Sequence, residues 1–288
     1  MLWLLLAGLT AIFESLKEVS SKHNLKNIDE YVVSWAIRIF ALPFLLPLLF
    51  FIEIPVLNES FWIALIFGSA LNLVATIVYM KAIKSSDLSI TIPMVTFTPL
   101  FLLLTSPLII GEFTNIYGII GIVLIVLGSY MLNIKQRKNG YLAPFRALLS
   151  EPGPKLMLIV ALIWSITSNI DKIGVGNSSP IFWVIAINVT LATLMFPIMV
   201  YKSKNCKKIL QKDYKILLPV GLFSALSLIF HMTAITLTLV AYVISIKRLN
   251  IVLSILFGHF LFKEENVKER LVGAVIMVVG VIIIGLLG

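Results

Sequence analysis

The sequence predicts an all-α, polytopic membrane protein: ten transmembrane helices forming two inverted five-helix repeats around a central cavity. Three observations predict it. The first is composition: of 288 residues, 59% are hydrophobic and 13% charged, and mean hydropathy is +1.04. A soluble domain has too little interior for that much apolar surface, so the bilayer serves as solvent. The second is that apolar runs near the length needed to cross hydrocarbon recur along the whole chain. The third is an internal echo at a spacing of about 150 residues, with the order kept. Ala11 to Val19 is answered by Ser165 to Ile173, Trp35 to Arg38 by Ile185 to Asn188, Met80 to Ile83 by Met232 to Ile235, and Gly111-Glu112 by Lys263-Glu264.

The spans fall at about 2–21, 31–51, 61–82, 87–110, 115–133, 156–174, 180–201, 215–238, 240–262 and 267–287. The first opens with no Lys or Arg ahead of its apolar run, unlike a secretory leader, so it is expected to be retained. Pro55, Pro152-Gly153-Pro154 and Asn177-Ser178-Ser179-Pro180 mark connections. The fourth span holds Pro93, Pro99 and Pro107 with Thr96, Thr98, Thr105 and Ser106 between them, and each proline frees a backbone carbonyl. The ninth has no proline and is expected to be the straighter partner. The fifth and tenth carry Gly118, Gly121 and Gly128, and Gly273, Gly280 and Gly285, which let backbones approach closely. The repeats are expected at 1–133 and 156–288, joined by 134–155, where Tyr141 to Leu149 is expected to form a short interfacial helix.

Five spans per repeat make the second half enter the membrane from the opposite side, which gives an inverted repeat. Loops after odd-numbered spans carry nearly all the basic residues, among them Lys22, Lys84, Arg137, Lys207 and Arg270, whereas the opposite side offers Lys172. That asymmetry places the odd loops in the cytoplasm and both termini outside, in a cell (inner or plasma) membrane. It also accounts for the +9 net charge without nucleic acid. Asn58-Glu59-Ser60 and Asn177-Ser178-Ser179 match glycosylation sequons on the outer side, a triplet common by chance. The single cysteine, Cys206, allows no intramolecular disulfide.

Tyr79-x-x-Ala82-Ile83, Pro99-Leu100-Phe101, Gly111-Glu112 and the glycine-spaced fifth span, with Ala234-Ile235, Lys247-Arg248-Leu249, Lys263-Glu264, Gly273 and Gly280 in the second half, resemble the EamA family of the drug/metabolite transporter superfamily. The resemblance covers nearly the whole chain. It implies a central cavity walled by helices one to four and six to nine, with the fifth and tenth outside. Many members of that family place basic residues between the second and third spans. Here that loop has Glu53 and Glu59 and no Lys or Arg, so either the chain inserts the other way up or the count is off by one span; the first is favoured.

Charges inside a bilayer cost roughly 2.5–3.5 kcal/mol each on insertion scales and face a cavity or one another. Glu14, Lys17 and Glu18 share one face of the first helix. Glu14, the deepest, is either a cation or proton carrier or a partner for a substrate amine; otherwise the three neutralise one another. Lys247 and Arg248 lie too deep in the ninth span for easy snorkelling and, at about 100° apart, address different partners. Arg248 suits a carboxylate or phosphate clamp, or the pair locks packing against Glu14 or Asp171. Arg38 answers neutral Asn188; it either faces the cavity or snorkels to the headgroups. Asn72, Thr76 and Tyr79 form a polar stripe on the third helix, and Ser227 and His231 a second on the eighth. These stripes line a cavity or serve interhelical hydrogen bonding. His231 is a second proton-carrier candidate. Asn169 and Asp171 complete the cavity candidates. Glu112 and Glu264 are expected to cap the fifth and tenth helices.

The function expected is secondary transport of a small polar metabolite such as an amino acid or organic anion, most simply export, by alternating access, with H+ or Na+ as coupling ion. No cofactor or metal site is expected, and the molecule is a monomer or a homodimer. No Gly-rich phosphate loop is present. An uncoupled channel or a lipid or prenyl-phosphate flippase on the same fold is the alternative. A membrane-embedded enzyme is the weaker one, because the three histidines sit in no metal-like constellation.

Overall fold

The computed structural model describes residues 1–24, 30–86, 91–133, 151–203, 206–262 and 267–288. Within them the chain forms ten helical spans and no strand. These are α1 (Leu2–Asn24); α2 (Glu30–Ile39, then Leu42–Leu45 and a 3-10 turn Leu46–Phe51); α3 (Glu59–Ser85); α4 (3-10 Ile92–Phe97, then Thr98–Ile110); α5 (Ile116–Asn133); α6 (Pro152–Gly176); α7 (Pro180–Lys202); α8 (Cys206–Leu237); α9 (Val240–Lys247, then Asn250–Phe262); and α10 (Val267–Leu287). Among the described residues α2, α3, α4, α6, α7 and the Leu217–Leu237 part of α8 are each long and apolar enough to cross a membrane, and α5 and α10 contribute shorter apolar helices. Large apolar side chains such as Phe50, Phe67, Leu108 and Tyr201 point outward, as lipid-facing residues do.

The packing is two-fold in pattern. α1 lies against α8 and α3 against α6, α4 packs on α6 and α9 on α1, and α2 meets α7. Moving five helices along the chain turns each pair into another of the set. The α5–α10 contact shows the same relation in atoms. A Cβ on Gly121 would lie 2.8 Å from the Gly280 carbonyl oxygen and one on Gly280 would lie 2.7 Å from that of Gly121. Gly128 and Gly273 repeat the arrangement at 2.5 and 2.8 Å. Exchange of the same two contacts in both directions is what a two-fold axis imposes. Any side chain there would push the backbones apart, so the glycines set the helix separation.

Three helices are interrupted. In α2 the break follows Phe40, and Pro43 and Pro47 remove two amide donors from the turns beyond it. In α4 the prolines sit at the first positions of each segment, with Pro107 inside the second. The proline-free α9 was expected to be straighter; it breaks at Arg248–Leu249 instead. There the Arg248 amide donates to the Ser245 carbonyl at 3.1 Å and that of Leu249 to Ile246 at 2.9 Å, a tightened turn between two half-helices. The charges flanking this point, rather than a proline, mark the break. α8 also starts earlier than expected, at Cys206. The expected interfacial helix at Tyr141 to Leu149, and Glu264, lie outside the described residues.

Candidate functional site

α1 supplies the centre. Its 3.6-residue period puts Glu14, Lys17 and Glu18 on one face, pointing at α8 and α9. The Lys17 ammonium donates to Glu14 at 2.6 Å, and the second Glu14 oxygen accepts from Ser227 of α8 at 2.9 Å. Lys247, at the end of the first half of α9, stands 3.9 Å from that same oxygen. Glu14 and Lys247 are 15% and 23% exposed, so this is an interior cluster reached by some solvent.

One turn along α1, Glu18 accepts from the Asn250 amide at 2.7 Å and from the Ser254 hydroxyl at 2.9 Å, both on the second half of α9. Ser254 is also 3.0 Å from the Ser15 hydroxyl. The Glu18 side chain is nonetheless exposed, so the site opens toward the odd-numbered loops. Asn250 and Ser254 escaped the sequence reading, although their i, i+4 spacing on an apolar helix was the available signal.

Arg248 lies within electrostatic reach of Glu14 and Glu18 but close to neither, and its buried Nε has no hydrogen-bond partner. His231, 5% exposed on α8, lies within electrostatic reach of Lys247, Glu14 and Arg248, and its Nδ1 is likewise unpartnered. Tyr79 of α3 stacks on Trp164 of α6 at 5.9 Å and sits near Glu18.

Arg38 does not snorkel. Its guanidinium donates to the Asn188 side chain at 3.4 Å, so a residue meets its own repeat counterpart at the pseudo-axis, within reach of Asp171 and Glu14. Asp171 accepts from the indole of Trp183 at 2.9 Å, and Gly174 gives room for that ring. Other candidates turn elsewhere. Asn72 and Thr76 donate to backbone carbonyls of their own helix, at Gly68 and Asn72. Asn169 clasps α6 to α4 through Ser106 at 2.8 Å and Thr105 at 3.0 Å. The cluster therefore joins Glu14, Lys17, Arg38, Asp171, His231, Lys247 and Arg248, with Tyr79 at its edge.

The end away from Glu18 is laced shut. Lys172 pairs with Glu112 and donates to the Thr238 carbonyl at 2.8 Å. Glu112 was expected to cap α5; it instead accepts from the Val240 amide at 2.9 Å and so caps α9, because Gly111 turns the chain back with a φ of +69°. Asn58 and Asn177, the two sequon asparagines, bond each other at 2.7 Å.

The sequence profile of the EamA-like transporter family matches residues 1–134 and 152–286, nearly the entire chain and in two copies. The chain belongs to the EamA-like transporter family. It is a multi-pass membrane transporter of the drug/metabolite type, and its substrate is a small molecule. No curated protein matches the sequence. A solved structure titled "Crystal structure of protein" has the same fold: its TM-score is 0.74 at 14% identity, over 98% of this chain and 96% of that one.

Proposed function

We propose that the protein is a secondary transporter that exports a small polar metabolite, an amino acid or organic anion, by alternating access between its two repeats, 1–133 and 156–288. Both termini face outward and the basic odd-numbered loops face the cytoplasm. The substrate sits among α1, α8 and α9. The observation that carries this is Arg248, a guanidinium at membrane depth with a buried, unpartnered Nε beside Lys247 and an unpartnered His231. An unpaired charge there is costly unless a ligand completes it. Glu14 answers Lys17, Lys247 and Ser227, which leaves Arg248, among the described residues, without a paired carboxylate and available to clamp one from a substrate.

The exposed Glu18 and the Lys172–Glu112 latch support a cytoplasm-facing state closed at its outer end. The repeats are unlike in charge here: the counterparts of Lys172 and Glu112 are Glu18 and Glu264, which cannot form an ion pair. The purified protein is tested by thermal unfolding against a metabolite panel. Acidic or zwitterionic metabolites are expected to raise the melting temperature with concentration. Arg248→Ala is expected to abolish the shift. A shift that survives Arg248→Ala moves the site elsewhere.

A further inference from the structure

Glu18 and its neighbours are not explained by the substrate site. Four oxygen-bearing side chains meet where α1 meets the second half of α9: the Glu18 carboxylate, Ser254 with Oγ at 2.9 Å from it, Ser15 with Oγ at 3.0 Å from Ser254, and Asn250, whose Nδ2 donates to Glu18 at 2.7 Å. Asn250 is 5% exposed. Its Nδ2 is fixed by donation to Glu18, and Oδ1 of the same amide is buried with no donor. A buried acceptor without a donor calls for a positive ligand or a water. The set lies just past the α9 break. Interrupted helices whose half-ends and side-chain oxygens converge are how membrane transporters seat small cations.

We infer that Glu18, Asn250, Ser254 and Ser15 form a sodium site, separate from the substrate cluster though adjoining it. The donors are all hard oxygens, which selects a hard cation. Glu18 is the one carboxylate among the proposed ligands, and nearby Glu14 is answered by Lys17 while Arg248 adds a positive charge, so the set suits one positive charge and not two. Among the described residues no group of three His, Cys, Asp or Glu offers a divalent site. A sodium ion seated between Oδ1 and the carboxylate satisfies the orphan acceptor. It also ties α1 to α9 across the mouth that leaves Glu18 exposed. An anion on Arg248 then sits near the bound cation, so each favours the other's binding.

The test is thermal unfolding of the purified full-length protein without added metabolite, titrating NaCl against choline chloride at constant ionic strength and pH. With a dissociation constant near 1 mM, 100 mM sodium is expected to raise the melting temperature by about 5 °C and to saturate. Glu18→Gln keeps the shape and is expected to remove the sodium response. Ser254→Ala is expected to weaken it several-fold, and serves if Glu18→Gln fails to fold. Equal responses to sodium and choline overturn the site. So does a sodium response unchanged in both variants, or stabilisation that follows pH alone, which makes Glu18 a proton site. Metabolite-induced stabilisation measured in choline chloride reports on the substrate cluster separately, so either proposal can fail alone.

Discussion

Lys172→Met removes the charge that holds the outer end together while keeping most of the side chain's length. In the native protein the ammonium has two partners, Glu112 and the Thr238 carbonyl, and Lys172 and Glu112 are 26% and 14% exposed. An exposed pair contributes about 0–1 kcal/mol, and breaking a fully buried one costs about 3–5 kcal/mol. A partly buried latch falls between, at about 2 kcal/mol, or a ~30-fold shift in an equilibrium. If the latch holds the closed outer end, the ratio of outward-open to closed molecules rises by about that factor. Spin labels at Gly176 and Leu237, both exposed and on either side of the latch, report the separation by pulsed electron resonance once Cys206 is replaced by serine. The expected result is a new, longer distance in Lys172→Met, and also in Glu112→Gln. A melting temperature that falls while the distance distribution stays unchanged in both variants refutes the argument: the pair is then a structural tie and not a gate.

Further outcomes follow from other contacts. Arg248→Ala is expected to leave the melting temperature of ligand-free protein unchanged or higher, since it removes an uncompensated guanidinium, while metabolite transport in proteoliposomes falls at least ~10-fold. Gly128→Leu, set against the Gly273 carbonyl, is expected to destabilise the fold by about 2 kcal/mol or more through forced separation of α5 and α10, read as lost thermal stability in detergent. Trp183→Phe deletes the donor to Asp171 and is expected to cost about 1 kcal/mol, whereas Asp171→Asn, which keeps an acceptor, is expected to cost less.

The ten spans were legible because bilayer thickness fixes their length, and the repeat because its echoes keep their order. The interruption of α9 was not legible. Lys247 and Arg248 were visible as charges in an apolar run, but a helix usually breaks at proline, and here the turn answers Glu14 and Glu18 on another helix. Glu14 stood out for a similar reason: a carboxylate deep in an apolar stretch needs partners, and Lys17 one turn on was one, although the sequence could not show that Ser227 and Lys247 also serve it. Asn250 and Ser254 were hidden because small polar residues in membrane helices usually serve packing. The Trp183–Asp171 bond was hidden because a turn separates its two helices and no periodicity links them.

The meeting of Arg38 with Asn188 bears on how such a chain could arise. In a dimer of two identical five-helix proteins, a residue on the two-fold axis faces its own copy. Two arginines there would repel, and two asparagines would carry no charge. Arginine opposite asparagine is open only to halves that differ in sequence, as the two repeats of this chain do. Unlike halves therefore let this protein hold a single positive charge where the repeats meet, within reach of Asp171 and Glu14, which an identical pair could not do.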